Sequence, residues 1–545
     1  MSRFTDERGE GWMDFLLAIS PIVLILLGMT IFSRSGFLMS VLAWIFTFLL
    51  ALVFFKTPFD VCLSATIFGI LKSLSISLAV FFTMLLIFIM KATKALDSIA
   101  YKLKNLCKTK EEQVMFLGLG FGSLATSLGV VTPALFPPLL LTLGFSPVSS
   151  IAISVLCYDP LTSFALLSIP ITVPSEVAWQ AFKIQPQGIT NLEHFINTFT
   201  IDISIFLPFI SVGFAYIMLY FIDGINSLKR GFISALLSGL VLGFSCLTFS
   251  ITKIFPVQII GTLSGLLTMI FVLIYQRITN VQNPIEEKGK PNMSLLRATS
   301  PWILLFFFAL VTNLPGTSKF LSDLPGKYEV ITLYKNQSVD LNILSSIWFW
   351  IMITTIISIF LLRPTNEQLS STIKLWLKRS FSPFVAYSVC FSIAMIMAWS
   401  AMSNSSGVLV PGAYYSSFNM DRIIAIKIAM LSGTVFTTLI PYLGLIGSFI
   451  GGSETASNVF FAKILYESVK SVGYDSYFMI IFGAHAVAGG IASAITPAKI
   501  TNAAMTIGCS GKEESEFMKK AILPVIILTF LTGIILTVFI SLGIK

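Results

Sequence analysis

The sequence predicts an all-α polytopic membrane protein with about twelve transmembrane helices. Of its 545 residues, 55% are hydrophobic and only 11% are charged, and the mean hydropathy is +0.89. A soluble domain carries roughly a quarter charged residues. Two long apolar stretches are also interrupted at matching positions, and paired broken helices mark the binding site of many secondary transporters. The pattern therefore predicts a carrier for a small polar solute.

The predicted spans follow from the length of the apolar runs, because a helix needs about 20 residues to cross a bilayer. The count can change by one or two, since one run is short and another is long and contains Lys72. The N-terminal run follows mixed charges without a small-residue cleavage site, which favours a retained helix over a cleaved signal peptide. The candidate spans are about 14 to 32, 37 to 55, 62 to 90, 147 to 170, 201 to 222, 231 to 250, 255 to 276, 301 to 312, 343 to 362, 381 to 402, 475 to 508 and 521 to 543.

The net charge of +9 lies in loops, which indicates membrane topology and not nucleic-acid binding. Cytoplasmic loops are enriched in Lys and Arg. The basic loops are therefore placed inside, and the polar loops 171 to 200, 313 to 342 and 403 to 421 outside. The six cysteines are scattered without a CxxC pair, so the sequence predicts neither a disulfide framework nor a zinc site, and no cofactor.

The two interrupted stretches run from Gly144 to Ile171 and from Gly473 to Ile500. In the first, Asp159 and Pro160 lie 15 and 16 residues after the opening glycine, and in the second Ala488 and Gly489 lie at the same offsets. We predict a helix break at each of these positions, with Gly490 part of the second. The backbone groups that a break frees inside a membrane need a ligand, an ion or trapped water.

Each broken helix follows an apolar segment that looks like a re-entrant hairpin. The first hairpin, 113 to 143, has its tip near Gly129 to Pro133, and the second, 423 to 471, has its tip at Gly451 to Asn458. The loop charges place the ends of the first hairpin inside and those of the second outside. We therefore predict one domain, 1 to 545, built from two inverted repeats, about 14 to 222 and 301 to 543, with broken helices at 147 to 170 and 475 to 508.

Three stretches resemble the L-lactate permease family: PYLGLIGSFIGGSETASNVFF, AVAGGIASAITPAKI, and TPALFPPLLLTLGFSP followed by IPI. The resemblance is clearest over 115 to 171 and 441 to 530. It implies uptake of a 2-hydroxy monocarboxylate, such as lactate or glycolate, across the plasma membrane with a proton as the coupling ion. It also implies kinship with dicarboxylate and citrate carriers of the ion transporter superfamily, which work as elevator-type homodimers.

The hairpin tips carry the groups that suit a small hydroxy acid. Glycines let the backbone approach a ligand closely, and short hydroxyl and amide groups bind a carboxylate without adding a charge. Alternatively, these hydroxyls bond their own backbone or join helices. The candidate substrate-binding residues are Gly129, Thr132, Pro133, Gly452, Ser453, Thr455, Ser457, Asn458, Thr496 and Lys499.

Glu454, Asp159 and His485 are the candidates for proton coupling. An ionisable group inside a membrane segment is costly and is therefore a functional candidate by default, and histidine changes charge near neutral pH. The resemblance implies an acidic residue at 454, usually Asp, and Asn at or near 159 and 485. Alternatively, Glu454 lies at a tip exposed to water, and the other two are satisfied interior polar groups.

Lys499 can hold a substrate carboxylate as a point charge, or it can extend to a helix end as an interface lysine; the second role is slightly favoured. Two features depart from the family pattern. Relatives usually carry an acidic residue where this chain has Leu124 to Ser127, and a lysine before a Ser-Pro step where it has Ser493 to Pro497. These departures leave the substrate and the coupling ion open.

Other functions remain as alternatives. A sodium-coupled or uncoupled carrier of another organic or inorganic anion, such as a dicarboxylate, fits the same architecture, because unwound carbonyls can hold sodium. A membrane-embedded enzyme would need a nucleophile beside a base, and His485 has no serine or cysteine partner in a known motif. A channel fits repeated hairpins less well than a carrier does. The expected partners are a small carboxylate, the lipid bilayer and a second copy of the chain.

Overall fold

The computed structural model describes residues 10–279, 293–313, 315–324, 330–341, 343–432, 435–509 and 511–544. The first part of this fold is helical and ends with the first hairpin. Its helices are α1 (Glu10–Thr30), α2 (Gly36–Val53), α3 (Phe59–Ala92), α4 (Ala95–Leu106), α5 (Lys110–Val114), α6 (Gly122–Ser127), α7 (Thr132–Leu135) and α8 (Pro137–Thr142), with a π-helix over Met115–Phe121.

The next part contains the first broken helix and a group of long helices. It comprises α9 (Pro147–Leu156), a 3-10 helix over Asp159–Phe164, α10 (Ala165–Glu176), a π-helix over Val177–Ala181, α11 (Leu192–Ser204), α12 (Leu207–Asp223), α13 (Ile225–Thr252), α14 (Val257–Ile278), α15 (Leu295–Asn313) and α16 (Pro315–Asp323).

The last part contains two strand pairs, the second hairpin and the second broken helix. It comprises β1 (Val330–Tyr334), β2 (Gln337–Asp340), α17 (Ile347–Leu362), α18 (Asn366–Ala398), β3 (Met402–Ser405), β4 (Val408–Pro411), α19 (Tyr415–Phe418), α20 (Met420–Ser432), α21 (Phe436–Leu439), α22 (Pro441–Gly451), α23 (Glu454–Ser471), a 3-10 helix over Asp475–Tyr477, α24 (Phe478–Ile491), a 3-10 helix over Ala492–Ile495, α25 (Pro497–Ile507) and α26 (Lys512–Ser541).

The predicted spans coincide with helices of the structure. Within the described residues, ten helices are long and apolar enough to cross a membrane. The bent pair α11 and α12, with a bend of 44°, makes an eleventh span if it is counted as one. The remaining predicted span, 343 to 362, corresponds to α17, an apolar helix of only 16 residues. The structure therefore supports ten or eleven spans by length and composition, and the twelfth stays a prediction.

Two long helices, α3 and α18, pack side by side. With 34 and 33 residues at about 1.5 Å rise per residue, both exceed the thickness of a hydrocarbon core. Ser392 Oγ of α18 donates to Thr66 O of α3 (2.9 Å), and Ser73 Oγ of α3 donates to Ser388 Oγ (3.2 Å). Small and hydroxyl-bearing residues at this contact let the helices approach closely, as is common where lipid-facing helices associate.

Each segment predicted as a re-entrant hairpin contains two helical arms joined by a turn. In the first, the chain turns at Leu128 to Val131, and Phe121 stacks on Phe136 across the arms with ring centroids 5.5 Å apart. In the second, α22 and α23 are joined by a turn at Gly452, and Ser457 Oγ of α23 donates to Gly444 O of α22 (3.5 Å). Whether both arms of each hairpin open on one face of a bilayer stays a prediction.

The first helix break lies where the sequence predicts it. The chain leaves α9 at Leu156, passes through the 3-10 helix that holds Asp159 and Pro160, and re-forms as α10. Three residues in succession, Leu166 to Ser168, have positive φ values of 50°, 53° and 68°. This conformation is unfavourable for residues with a Cβ atom, so packing of the surrounding helices must hold it.

The predicted position of the second break is wrong. Ala488, Gly489 and Gly490 lie inside the continuous helix α24, and the break follows at 492 to 496. Thr496 is extended (φ −67°, ψ 120°) because a residue before proline is disfavoured in the helical region. Proline at 497 also has no amide N–H to continue the helix, whereas the two glycines lie within a helix that runs to Ile491.

Two strand pairs depart from the all-α prediction. They fall in the loops predicted to lie outside, 313 to 342 and 403 to 421. The two pairs are joined by three hydrogen bonds. Lys335 N donates to Gly407 O (2.8 Å), Asn336 Nδ2 donates to Leu409 O (2.8 Å), and Asn336 Oδ1 accepts from Leu409 N (3.0 Å). The strand pairs cover the start of α3 and the end of α18, where the Tyr334 ring packs on Trp399.

The topology predicts which residues react from each side of the membrane. Ser405 is exposed in the β3–β4 pair and Lys102 is exposed on α4. We expect Ser405→Cys to react with a membrane-impermeant maleimide in intact cells, and Lys102→Cys to react only after permeabilisation. The unmodified chain is the blank, because five of its six cysteines are buried. Labelling of Lys102→Cys in intact cells would contradict the topology.

Candidate functional site

A cavity of about 230 Å³ lies where the hairpin tips and the helix breaks meet. Its volume is below the range of typical drug-sized pockets, which begin at about 300 Å³, so it suits a small solute. Most of its lining is apolar. The lining residues are Ser75, Ile76, Ala79, Gly129, Val131, Pro133, Tyr158, Leu166, Ile169, Ser345, Ser346, Ile347, Tyr387, Gly452 and Lys499.

Each of the four predicted elements contributes to this cavity. Gly129 and Pro133 come from the first tip, Gly452 from the second, Tyr158 from the first break, and Lys499 from the helix after the second break. The opposite wall is formed by α3, α18 and the start of α17. The cavity therefore lies between the repeated hairpin-and-break units and a second group of helices.

Both tips turn at a glycine in the left-handed region. Gly129 has φ +85° and Gly452 has φ +62°, conformations that L residues with a side chain rarely adopt. Gly129 packs against the Leu166 side chain of the first break, and Gly452 lies close to Thr496 of the second break. Each tip thus contacts the break of its own repeat.

Lys499 does not extend to a helix end, so the favoured interface role is wrong. Its side chain is 7% exposed and lines the cavity. Nζ donates a hydrogen bond to Ser493 Oγ and lies 3.8 Å from the centroid of the Tyr158 ring. It also interacts electrostatically with Asp159 and Glu454, without a direct ion pair to either. Lys499 is therefore a buried cation at the centre of the site.

Glu454 is buried, at 4% exposed, and not solvated at an open tip. It is the first residue of α23, after the cap formed by Ser453. Oε1 accepts hydrogen bonds from Ser163 Oγ (2.7 Å) and from Asn458 Nδ2 (3.5 Å), whereas Oε2 has no partner among the described residues. The carboxylate of the second hairpin is thus held by the first broken helix.

Gly489 and Gly490 make room for this carboxylate. A Cβ atom at Gly490 would lie 3.2 Å from Glu454 Oε2, and one at Gly489 would lie 3.3 Å from Glu454 Cγ. Both distances are tighter than ordinary contacts. The two glycines were predicted as a helix break, and the structure gives them a packing role instead.

Asp159 is the second buried acid, with 3% of its surface exposed. Neither carboxyl oxygen has a hydrogen-bond partner among the described residues. An unpaired carboxylate is expensive to bury, so the neighbouring Lys499 or a bound proton must offset its charge. The site therefore combines two carboxyl groups with one ammonium group.

The other predicted tip residues surround this centre. Asn458 is fully buried and its Nδ2 also donates to Pro170 O (3.2 Å), while Ser453 Oγ accepts from Ala456 N (3.3 Å). The Thr132 and Thr496 hydroxyls donate to Ser154 O and Ala492 O, respectively. Two further candidates lie on α23: Ser457, which is buried, and Thr455, which is partly exposed.

His485 lies away from the cavity lining. It is fully buried on α24 against the rings of Phe461 and Phe482, with centroids 5.5 and 6.2 Å away. Its ring nitrogens have no hydrogen-bond partner in the described part of the chain. The expected place beside a helix break is therefore wrong, because the break lies further along the chain.

Several lining residues were missed from the sequence. Tyr158 directly precedes Asp159 in the first interrupted stretch, and this position beside the predicted break could have indicated that it lines the site. Tyr387 lies within the predicted span 381 to 402, where a phenol inside an apolar run could have indicated a site. Ser75 and Ser346 carry no signal that separates them from the many other serines. Among the described residues, no group of three or more His, Cys, Asp or Glu could hold a metal ion.

Comparison with known proteins gives one consistent result. Residues 14–543 match the family model described as L-lactate permease. The chain is 21% identical to the L-lactate permease of Salmonella typhi over 98% of this chain and 97% of the relative. It is 22% identical to the L-lactate permease of Bacillus subtilis (strain 168) over 94% of both, and 21% identical to the glycolate permease GlcA of Escherichia coli (strain K12) over 96% and 95%.

The packing of the second hairpin against α24 predicts a sensitive position. A Cβ atom at Gly444 would meet the backbone carbonyl of His485, which cannot rotate away. We expect Gly444→Ala to destabilise the fold by about 1–3 kcal/mol, the usual effect of overpacking, seen as a lower melting temperature in detergent. Gly316→Ala is the control, because a Cβ atom there meets nothing within 4 Å. Equal melting of Gly444→Ala and the unmodified chain would contradict this packing.

Proposed function

The chain belongs to the L-lactate permease family, and on this premise we propose that it takes up a small 2-hydroxy monocarboxylate, such as lactate or glycolate, by proton symport. It is a multi-pass plasma-membrane protein of a permease family, and that family is not a family of enzymes. The observation that carries the proposal is the single buried ammonium of Lys499 in a small cavity, beside two buried carboxyl groups.

The shape and lining of the cavity support a short monocarboxylate. Lys499 supplies one positive charge, and the walls around it are mainly apolar, from side chains such as Ile76, Val131 and Ile169. One ammonium can neutralise one carboxylate, and a second carboxylate would remain unpaired in an apolar wall at high cost. A dicarboxylate is therefore the less favoured substrate.

The charges of the site support coupling to one proton. With Asp159 protonated, Glu454 ionised and Lys499 positive, the empty centre is neutral. A monocarboxylate that binds to Lys499 adds one negative charge, and a proton on Glu454 restores neutrality. A net charge inside a membrane is costly. The carrier should therefore change its orientation only in two neutral states: empty with Glu454 ionised, or loaded with Glu454 protonated. Glu454 is assigned the coupling proton because Ser163 and Asn458 stabilise its ionised form when the site is empty.

The position of the cavity supports alternating access by relative movement of two helix groups. One wall comes from the hairpins and broken helices, and the other from α3, α17 and α18. We propose that the hairpin-and-break units carry the solute past this second wall in an elevator motion, within a homodimer. Cross-linking of the protein in native membranes tests the dimer, and detection of the single chain alone would contradict it.

Proton coupling is tested by uptake into proteoliposomes with a pH gradient, a sodium gradient, or neither. We expect an inward proton gradient to drive accumulation of labelled lactate. Glu454→Gln should abolish this accumulation but retain exchange of labelled for unlabelled lactate, because exchange needs no return of the empty carrier. Asp159→Asn should keep proton-driven accumulation, since its carboxyl holds a proton throughout.

The control for this test is Glu516→Gln, which removes an exposed carboxylate paired with Lys520 and should behave as the unmodified chain. The reverse result, in which Asp159→Asn uncouples and Glu454→Gln does not, would contradict the assignment of the coupling acid. Accumulation driven by sodium alone and unchanged in Glu454→Gln would contradict proton symport and favour a sodium-coupled carrier.

Lys499 is tested separately, because it binds the substrate in this proposal. We expect Lys499→Met to abolish both uptake and exchange, and Lys499→Arg to retain part of each with a higher KM, since the charge is kept but its position changes. Lys520→Met, which removes an exposed lysine, is the control. The double variant Lys499→Met with Glu454→Gln removes a balanced pair of charges, so we expect it to fold, as checked by size-exclusion chromatography. Transport by this variant would contradict the role of Lys499.

A further inference from the structure

Asn502 is a buried polar side chain that the proposed transport step does not yet use. It is fully buried on α25, and neither atom of its amide group makes a close hydrogen bond among the described residues, although the Tyr387 hydroxyl lies next to it. Leaving a buried polar group unpaired costs about 1–3 kcal/mol. A side chain kept at this cost indicates a partner that is present only part of the time, such as a transported solute.

The position of Asn502 connects it to the cavity. It lies three residues after Lys499, and residues three apart lie on the same side of a helix, about 4.5 Å apart along the axis. The Tyr387 hydroxyl of α18 lies next to the Asn502 amide, and Tyr387 lines the cavity together with Lys499 and Tyr158. The ammonium and the phenol–amide pair thus form two neighbouring polar points in a mainly apolar wall.

We propose that Tyr387 and Asn502 bind the 2-hydroxyl group of the substrate whose carboxylate is bound by Lys499. This inference rests on the proposed function. In a 2-hydroxy acid the hydroxyl is attached to the carbon next to the carboxylate, so the two groups need partners a few Å apart. An amide offers both a donor and an acceptor, and a phenol can also act as either. The pair therefore selects 2-hydroxy acids over monocarboxylates of the same length without the hydroxyl.

Three other hydroxyl groups near the cavity already donate to the protein backbone. Thr132, Thr496 and Ser346 each donate to a backbone carbonyl, of Ser154, Ala492 and Leu341, respectively. Thr506, one turn beyond Asn502 on α25, donates to Asn502 O (2.8 Å). Of these groups, the phenol–amide pair is the one that stays available to a substrate hydroxyl.

The test compares lactate with propionate, which lacks only the hydroxyl, in proteoliposomes under a proton gradient. We expect the unmodified chain to prefer lactate by about tenfold or more, the effect of one hydrogen bond in a buried site. In Asn502→Leu and Tyr387→Phe the ratio should fall to near one, with propionate uptake retained. Thr506→Val is the control and should keep the preference.

Each outcome bears on a different proposal. If the unmodified chain takes up neither lactate nor glycolate, the proposed function fails. If the unmodified chain takes up lactate, the proposed function stands. The hydroxyl site then fails if Asn502→Leu keeps the preference for lactate, or if this variant loses lactate and propionate uptake equally. If Asn502→Leu does not fold, judged by size-exclusion chromatography, the ratio in Tyr387→Phe decides in the same way.

Discussion

The burial of one ammonium group beside two carboxyl groups is the constraint on which the rest of this structure depends. Charges inside a membrane protein are tolerated only when they are offset and hydrogen-bonded. The helix breaks supply those partners: Ser163 from the first break bonds Glu454, and Ser493 from the second bonds Lys499. In a continuous helix the backbone groups bond to one another within the helix. Continuous helices could therefore not bring the two hairpin tips and the two breaks to one centre.

Much of the fold could be predicted from the sequence, because a bilayer imposes long apolar helices that hydropathy detects. The turns at Gly129 and Gly452 were also predictable, since glycine beside short polar residues favours a tight reversal. The second break was misplaced because two adjacent glycines weaken a helix, although both lie inside a continuous helix that packs against Glu454. The true break depends on Pro497, whose effect falls on the residue before it.

The roles of individual charged residues were harder to predict, because they depend on contacts between distant segments. Lys499 looked like an interface lysine from its place near a helix start, yet its side chain folds back onto Ser493. The resemblance implies a lysine in the stretch that begins at Ser493, where this chain has none. Lys499 brings an ammonium group to that same stretch from a different position.

The close fit between Gly490 and Glu454 limits how the two positions can diverge. A Cβ atom at 490 would lie 3.2 Å from the carboxylate oxygen. An aspartate at 454 is shorter by one carbon–carbon bond, about 1.5 Å, and would relieve this contact, although Thr162 Cβ would still lie 3.3 Å from the added atom. Substitutions at 454 and 490 should therefore be correlated during evolution: glycine should accompany glutamate, and alanine should be tolerated only in chains that carry the shorter acid.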